Sequence, residues 1–173
     1  MTFTNNQIHV HSLPELDKVN YLPLHKNHYI ATTVGLSLFF LILLLIGVAT
    51  FLVWDDLREI SLWVLILWIV TLLLSMVHNY YNYKNKGYAL REHDIIFREG
   101  VIVQSVMAVP FNRVQHSEVT QGPIDRYLNL STLHIFTAGG SSSDLSIPGL
   151  RPDEANRLRD FIVSKTKGLD EEE

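Results

Sequence analysis

The 173-residue chain has no cysteine, which excludes disulfides, thiolate metal sites and cysteine nucleophiles. Charged residues are also scarce, at 18% of the chain, whereas about a quarter is usual for a soluble domain. The formal net charge of −4 gives no reason to expect nucleic-acid binding. The shortage of charge is concentrated between Tyr29 and Trp54, where no Asp, Glu, Lys or Arg occurs. This distribution predicts a membrane protein with a modest soluble part, not a soluble enzyme.

Two apolar segments predict a transmembrane helical hairpin. The first covers residues 29–53 and as a helix would reach about 37 Å, enough to cross a hydrocarbon core of about 30 Å. The second covers residues 60–81, and a short external loop, 54–59, connects the two. The first segment is too long and too far from the N-terminus to fit a cleaved signal peptide. Neither segment contains a charged side chain, so we expect the hairpin to anchor the protein and not to conduct.

The distribution of Lys and Arg predicts how the hairpin is oriented. The loop between the segments contains only Arg58, against three acidic residues. Six basic residues flank the other ends of the two segments: Lys18, Lys26, Lys84, Lys86, Arg91 and Arg98. Because positively charged flanks stay in the cytoplasm, both termini are predicted to be cytoplasmic.

The hydrophobic period changes to about two after Gly87, which indicates strands. Six are predicted, at residues 88–91, 95–98, 101–109, 114–120, 131–137 and 144–147. A helix follows Pro148-Gly149, with its apolar positions on one face: Ala155, Leu158, Phe161 and Ile162. We therefore expect a small, strongly bent sheet or partly open barrel, with the helix covering one end. This soluble domain is predicted at residues 84–167, followed by an acidic tail, 168–173.

Five motifs along the chain resemble those of the YdbS-like family of bacterial membrane proteins. They are Arg98-Glu-Gly100, Val109-Pro-Phe-Asn-Arg113-Val-Gln115, Gln121-Gly-Pro-Ile-Asp-Arg126, Thr137-Ala-Gly-Gly140 and Ile147-Pro-Gly-Leu150. The resemblance covers about residues 29–165 and implies a PH-like barrel at the inner face of a bacterial membrane. One departure is Asn129, where the family usually has Gly. Asn tolerates the left-handed backbone conformation better than most residues, so the fold is not affected.

The turn motif 121–126 is the densest candidate for a functional site. Arg126, together with Arg113, would contact the carboxylate of a protein partner or the phosphate of a lipid. Gln115 and Gln121 are the polar neighbours of these two arginines in the same motifs. The competing interpretation is structural and is favoured: Gly and Pro form a turn, and Arg126 pairs with Asp125 or caps a strand end.

Cofactor sites are weakly indicated. The glycine- and serine-rich stretch 138–143 lacks the Lys-Ser/Thr of a phosphate-binding loop and is typical of a flexible hairpin loop. His28 and His78 lie at the same predicted end of neighbouring helices, where they could act as axial haem ligands, and His25 precedes His28 at helical spacing. No serine-hydrolase motif is present. No catalytic residue, cofactor or metal is predicted.

The preferred hypothesis is a non-catalytic, membrane-anchored PH-like module that acts as a protein-interaction or assembly scaffold. Its partner would be a second copy or, as the resemblance implies, a related membrane protein with repeated PH-like domains. The alternative is a small bis-His haem or metal-binding membrane subunit that uses His28 and His78. The N-terminal segment, 1–28, is expected to lie along the membrane interface, to dock on the domain or to remain a tail.

Overall fold

The computed structural model describes residues 19–54, 58–138 and 145–170. Two antiparallel helices of 28 residues, α1 (Lys26–Val53) and α2 (Arg58–Asn85), confirm the predicted hairpin. Both are longer than predicted, because α1 begins three residues earlier and α2 continues four residues past residue 81. Most of the loop that connects them lies outside the described residues.

The two helices touch along one narrow seam. Phe40 is buried and its ring meets Trp68 edge-on, with 5.9 Å between ring centroids. Further along, the Asn79 side-chain amide donates to the Thr33 hydroxyl at 3.0 Å. Nearly all other apolar side chains of the hairpin are exposed, which suits a lipid solvent and would be a severe liability in water.

The hairpin is inserted into a four-stranded antiparallel sheet, sheet A. Its strands follow the order β1 (Leu22–Pro23), β2 (Gly87–Leu90), β3 (Asp94–Glu99) and β4 (Ser105–Pro110). Strand β1 precedes α1 and pairs with β2, which follows α2. Of the expectations for the N-terminal segment, docking on the domain therefore holds for residues 22–24, while residues 1–18 lie outside the described residues. The two-residue strand itself was not predicted.

A second antiparallel sheet, sheet B, contains β5 (Val114–Thr120), β6 (Ser131–Thr137) and β7 (Leu145–Leu150) in that order. A short helix, α3 (Pro123–Tyr127), connects β5 to β6, and α4 (Pro152–Asp170) follows β7. No ladder joins the two sheets among the described strands. The predicted PH-like architecture with a C-terminal helix is confirmed. Its described strands form two facing sheets and not one closed barrel.

Three local predictions are corrected. The strand predicted at residues 101–109 begins only at Ser105, because the chain turns after Gly100. Gly100 has a φ of +101°, and a methyl group added there would lie 1.9 Å from the Val103 carbonyl oxygen, so the turn needs glycine. Strand β7 continues past residue 147 to Leu150, since a bulge opposite β6 accommodates Pro148. Residues 123–127 form a helix, where only a turn was predicted.

One hydrophobic core lies between the two sheets and α4. Its fully buried side chains include Ile95, Phe111, Leu133 and Ile147. The predicted apolar face of α4 is confirmed, because Ala155, Leu158 and Ile162 are buried and Phe161 meets the Phe111 ring edge-on. Leu24, from the segment ahead of α1, belongs to the same core and is 3% exposed. The chain on both sides of the hairpin thus completes one domain.

Candidate functional site

The two ends of the PH-like domain differ in what they contact. The near end is where α1 and α2 join the domain, and it includes the turn 100–104, α3 and the end of β7. The far end is formed by the turn 91–93 and the short 3-10 turn Phe111–Arg113, which are bonded through Phe111 N–H and the His93 carbonyl at 3.0 Å. Ala138, at the end of β6, donates to the Arg113 carbonyl at the same end.

At the near end, the first turn of α1 is fixed to sheet B and α3. The His25 N–H donates to the Gly149 carbonyl at 3.1 Å, and the Asn27 side chain donates to the Leu128 carbonyl at 2.9 Å. His28 is 8% exposed and lies directly over Gly149. A methyl group at Gly149 would lie 2.6 Å from the Cβ of His28, and its φ of +69° also favours glycine. The helix and the strand therefore approach as closely as the backbone allows.

The last turn of α2 is fixed to sheet A in the same way. The Tyr83 hydroxyl donates to the Leu24 carbonyl at 3.3 Å, which ties α2 to the chain entering α1. The Asn85 side chain donates to the Gly100 carbonyl at 3.2 Å, and Lys86 forms an ion pair with Glu99 at 3.3 Å. Hydrogen bonds and packing contacts therefore fix both helices to the domain where they join it. The near end lies beside the helix ends that are predicted to be cytoplasmic.

The predicted interaction residues do not form one site. Arg113 and Gln115 are exposed at the far end, whereas Gln121 and Arg126 belong to the near end. Strand β5 runs from one pair to the other, and the eight residue steps from Arg113 to Gln121 correspond to about 26 Å of extended chain. A single ligand contacting both arginines would have to span the whole domain.

The residues around α3 have clear structural roles. Gln121 donates to the Leu130 carbonyl at 2.7 Å and to the Ser131 hydroxyl at 3.1 Å, so its side chain closes the α3 connection. Asn129 has a φ of +55°, which confirms the predicted left-handed position. Arg126 is exposed on α3, and the proposed pair between Arg126 and Asp125 is not present. The Asp125 carboxylate instead folds back toward Gly122.

The histidine geometry does not support the haem hypothesis. His28 is enclosed by the domain, whereas His78 is exposed on α2. Since the neighbour of His78, Asn79, bonds to Thr33, His78 lies opposite a level of α1 about six residues, or roughly 9 Å, from His28. Among the residues with described positions, no group of three or more His, Asp or Glu side chains could hold a metal ion.

An unpaired edge borders sheet A. Strand β4 is hydrogen-bonded to β3 on one side, and no described strand pairs with its other side. Val106 and Met107 are 41% and 44% exposed, and the strand has no charged residue to discourage pairing. Such an edge can add a strand from another chain.

Four exposed apolar side chains at the near end were not singled out from the sequence. Tyr127 is 89%, Ile102 86% and Val103 80% exposed, which exceeds the value for every large apolar side chain described on α1 and α2. Ile124, one helical turn from Tyr127, is 39% exposed. The available signal was the presence of large apolar residues in connections next to helix-breaking Gly and Pro.

The family follows from comparison with known proteins. The family model described as the bacterial PH domain matches residues 28–166, and the chain belongs to this family. It is a membrane protein in which the PH-like region follows two transmembrane helices, as the resemblance to YdbS-like proteins implies. It is similar to the UPF0699 transmembrane protein YdbS of Bacillus subtilis (strain 168), with 39% identity over 85 residues. These residues are 49% of this chain and 52% of that protein, so the chain spans about half the length of this curated relative. No solved structure matches the chain.

Proposed function

We propose that the protein is a non-catalytic, membrane-anchored interaction module on the cytoplasmic side of a bacterial cell membrane. The hairpin supports an anchoring role, since its described residues 29–53 and 60–81 contain no charged side chain. The excess of Lys and Arg outside the connecting loop supports a cytoplasmic domain and cytoplasmic termini.

The observation that carries this proposal is the free edge of β4. Six residues give an edge of about 20 Å, long enough to hold several main-chain hydrogen bonds to an added strand. The exposed side chains of Val106 and Met107 provide apolar contacts beside those bonds. Pro110 ends the strand and defines one limit of the surface.

The partner would supply an edge strand with apolar side chains. Two sources fit: a second copy of this chain, whose β4 offers the same edge, and a related membrane protein with repeated PH-like domains. Anchoring in a common membrane raises the effective concentration of either partner, so a short β-augmentation contact would suffice.

Site-specific crosslinking in native membranes tests this proposal. A photo-crosslinking amino acid at Met107 should give one discrete product, and the same amino acid at exposed Arg157 on α4 should give none. Val106→Lys should reduce the Met107 product about tenfold, equivalent to 1.4 kcal/mol of binding, because a charge at the edge opposes strand addition. The product mass separates self-association from a second protein. Equal products at both positions, or none at Met107, would contradict the proposal.

Arg113 and Gln115 remain proposed contacts for the same partner, at the far end. A guanidinium exposed beside the short turn 111–113 would meet a partner carboxylate, so Arg113→Glu should weaken crosslinking at Met107. Arg157→Glu makes the same charge change on α4 and serves as the control. Because Gln121 already bonds to the main chain, we expect its replacement to lower thermal stability before it affects a partner.

A further inference from the structure

The near end presents apolar side chains where a soluble domain would normally present polar ones. Three of them are more exposed than the lipid-facing residues described on the hairpin itself: Ile102, Val103 and Tyr127. At the far end, by contrast, the exposed positions of the turns are polar: Glu92, His93, Asn112 and Arg113. The two ends therefore differ in the polarity of the side chains that their turns expose.

The two apolar tips, which are the turn 101–104 and α3, lie beside the ends of the transmembrane helices. α3 is fixed to the first turn of α1 by the bond from Asn27 to Leu128, and the turn 101–104 follows Gly100, which bonds to Asn85 at the end of α2. The bond between Tyr83 and Leu24 puts those two helix ends at the same level. The tips therefore flank the hairpin where the chain leaves the membrane.

The depth of the tips follows from helix geometry. A hydrocarbon core of about 30 Å takes about 20 residues of helix, so counting back from Val53 the core would begin near Val34. Asn27 then lies about 10 Å outside the core, just beyond the outer edge of a headgroup layer that is about 5–8 Å thick on each side. Aromatic residues between these levels agree, since Tyr29 contacts Tyr80 and Tyr83 with ring centroids 6.0 and 5.6 Å apart.

We propose that the turn 101–104 and α3 are two membrane-contacting tips. They insert Ile102, Val103 and Tyr127, supported by Ile124, into the headgroup layer of the membrane that the hairpin crosses. Arg126, exposed on α3 beside Tyr127, lies among the lipid phosphates. The ligand is the phospholipid surface itself, because the inserted side chains are apolar and the two tips, 101–104 and 123–127, carry Arg126 as their one basic residue.

The shape of the tips suits this role. The turn that carries Ile102 and Val103 is already formed, because Gly100 adopts a positive φ and its carbonyl accepts from the Asn85 side chain, so entry into the lipid costs little conformational entropy. Ile124 and Tyr127 are three residues apart and lie on one face of α3. Two tips, one beside the start of α1 and one beside the end of α2, would limit tilting of the domain against the bilayer, which would also fix the height of the β4 edge.

Depth-dependent fluorescence quenching tests the proposal on the full chain. Because the protein has no cysteine, Ile102→Cys, Tyr127→Cys and the far-end control Asn112→Cys can each carry a single environment-sensitive label. In vesicles of phosphatidylcholine and phosphatidylglycerol, the labels at 102 and 127 should be quenched by lipids spin-labelled near the headgroup. The label at 112 should be quenched only by aqueous iodide.

Each other outcome overturns the proposal. Iodide quenching at 102 and 127 equal to that at 112 would put the tips in water. Protection from iodide without quenching by spin-labelled lipid would mean that protein covers them. Quenching at one tip alone would contradict the two-tip arrangement. Quenching lost in pure phosphatidylcholine would show an electrostatic contact without apolar insertion. These outcomes are independent of crosslinking at Met107, so the membrane contact and the protein interaction can fail separately.

Discussion

The near and far ends of the PH-like domain differ in which segments of the chain close the hydrophobic core. The far end is closed by short turns of the domain itself, over a core that includes Phe111 and Phe161. The near end is closed by segments from outside the domain: Leu24 fills the core, and His28 lies over Gly149. The far end is thus self-contained, whereas the near end depends on the hairpin.

The comparison shows how a membrane anchor can be part of a fold instead of an appendage. The hairpin enters through β1 and leaves through β2, so the strand pairing of sheet A continues across it. The exposed turns are polar at the far end and apolar at the near end, where the two helices join the domain.

Removing residues 19–25, which precede α1 and pack on the domain, should have the largest effect on stability. Residues 84–168 alone should be less stable than the same residues preceded by 19–25 through a short Gly-Ser linker, by about 3 kcal/mol or more. The added segment restores β1 and the buried side chain of Leu24. Urea unfolding followed by circular dichroism gives both free energies of unfolding. Equal midpoints would show that the near end is as self-contained as the far end.

A methyl group at the seam should have the next largest effect. Gly149→Ala should lower the free energy of unfolding by more than about 2 kcal/mol, since the left-handed backbone alone costs about 1–2 kcal/mol and the methyl also meets His28. Gly35→Ala is the matched control, because no atom lies within 4 Å of a methyl there. If both variants melt with the wild type, the close approach of α1 to β7 is wrong.

Removing a hydrogen bond at the near end should lower the free energy of unfolding more than removing an ion pair at the far end, although both effects are smaller than that of Gly149→Ala. The Tyr88 hydroxyl donates to the Glu154 carboxylate, and Tyr88→Phe should cost about 1–2 kcal/mol. Arg91 and Asp94 form an exposed ion pair, in which Arg91 Nε donates to the Asp94 carboxylate at 2.6 Å. Arg91→Ala should lower the free energy of unfolding by no more than about 0.5 kcal/mol. Thermal unfolding at neutral pH compares the two.

The same hydroxyl predicts a pH dependence. Burial first, and then the bond to Glu154, raise the pKa of Tyr88 well above its ordinary value of 10.0. The stabilisation is therefore fully present below about pH 10 and is lost as the pH rises further, because the unfolded chain ionises first. The advantage of wild type over Tyr88→Phe should shrink above pH 10. A constant difference across that range would contradict the assignment.

A small effect is also expected when Asn129 is replaced by glycine. With φ at +55°, Asn129→Gly should change the free energy of unfolding by less than about 0.5 kcal/mol, whereas Asn129→Ala should lower it by about 1 kcal/mol. Denaturant midpoints for the pair provide the comparison. The reverse order would mean that this backbone conformation is not the one in the native protein.

The parts of the fold predicted from the sequence are those with a long apolar run or a strong periodicity. The hairpin follows from two long uncharged apolar segments, whereas β5, β6 and the apolar face of α4 follow from a repeated spacing of apolar residues. Strand β1 could not be predicted, because two residues that include Pro23 give no period, and its pairing depends on β2 more than sixty residues later. Helix α3 has only five residues, which is too short for helical periodicity.

The candidate sites were harder to predict. The run Val101-Ile-Val103 is predicted as a strand because β-branched residues favour strands, whereas the structure places it in a turn after Gly100, where Ile102 and Val103 are exposed. Arg113 and Arg126 are close in sequence, yet the extended strand β5 places them at opposite ends of the domain. Spacing along a chain gives distance only where the secondary structure between two residues is known.

Labelling of single cysteines tests directly on which side of the membrane the PH-like domain lies. A membrane-impermeant maleimide should label Asp56→Cys in intact cells, and should label Asn112→Cys only after lysis. This result would place the connecting loop outside and the PH-like domain in the cytoplasm, as the Lys and Arg distribution predicts. Labelling of Asn112→Cys in intact cells, with Asp56→Cys protected until lysis, would contradict the account.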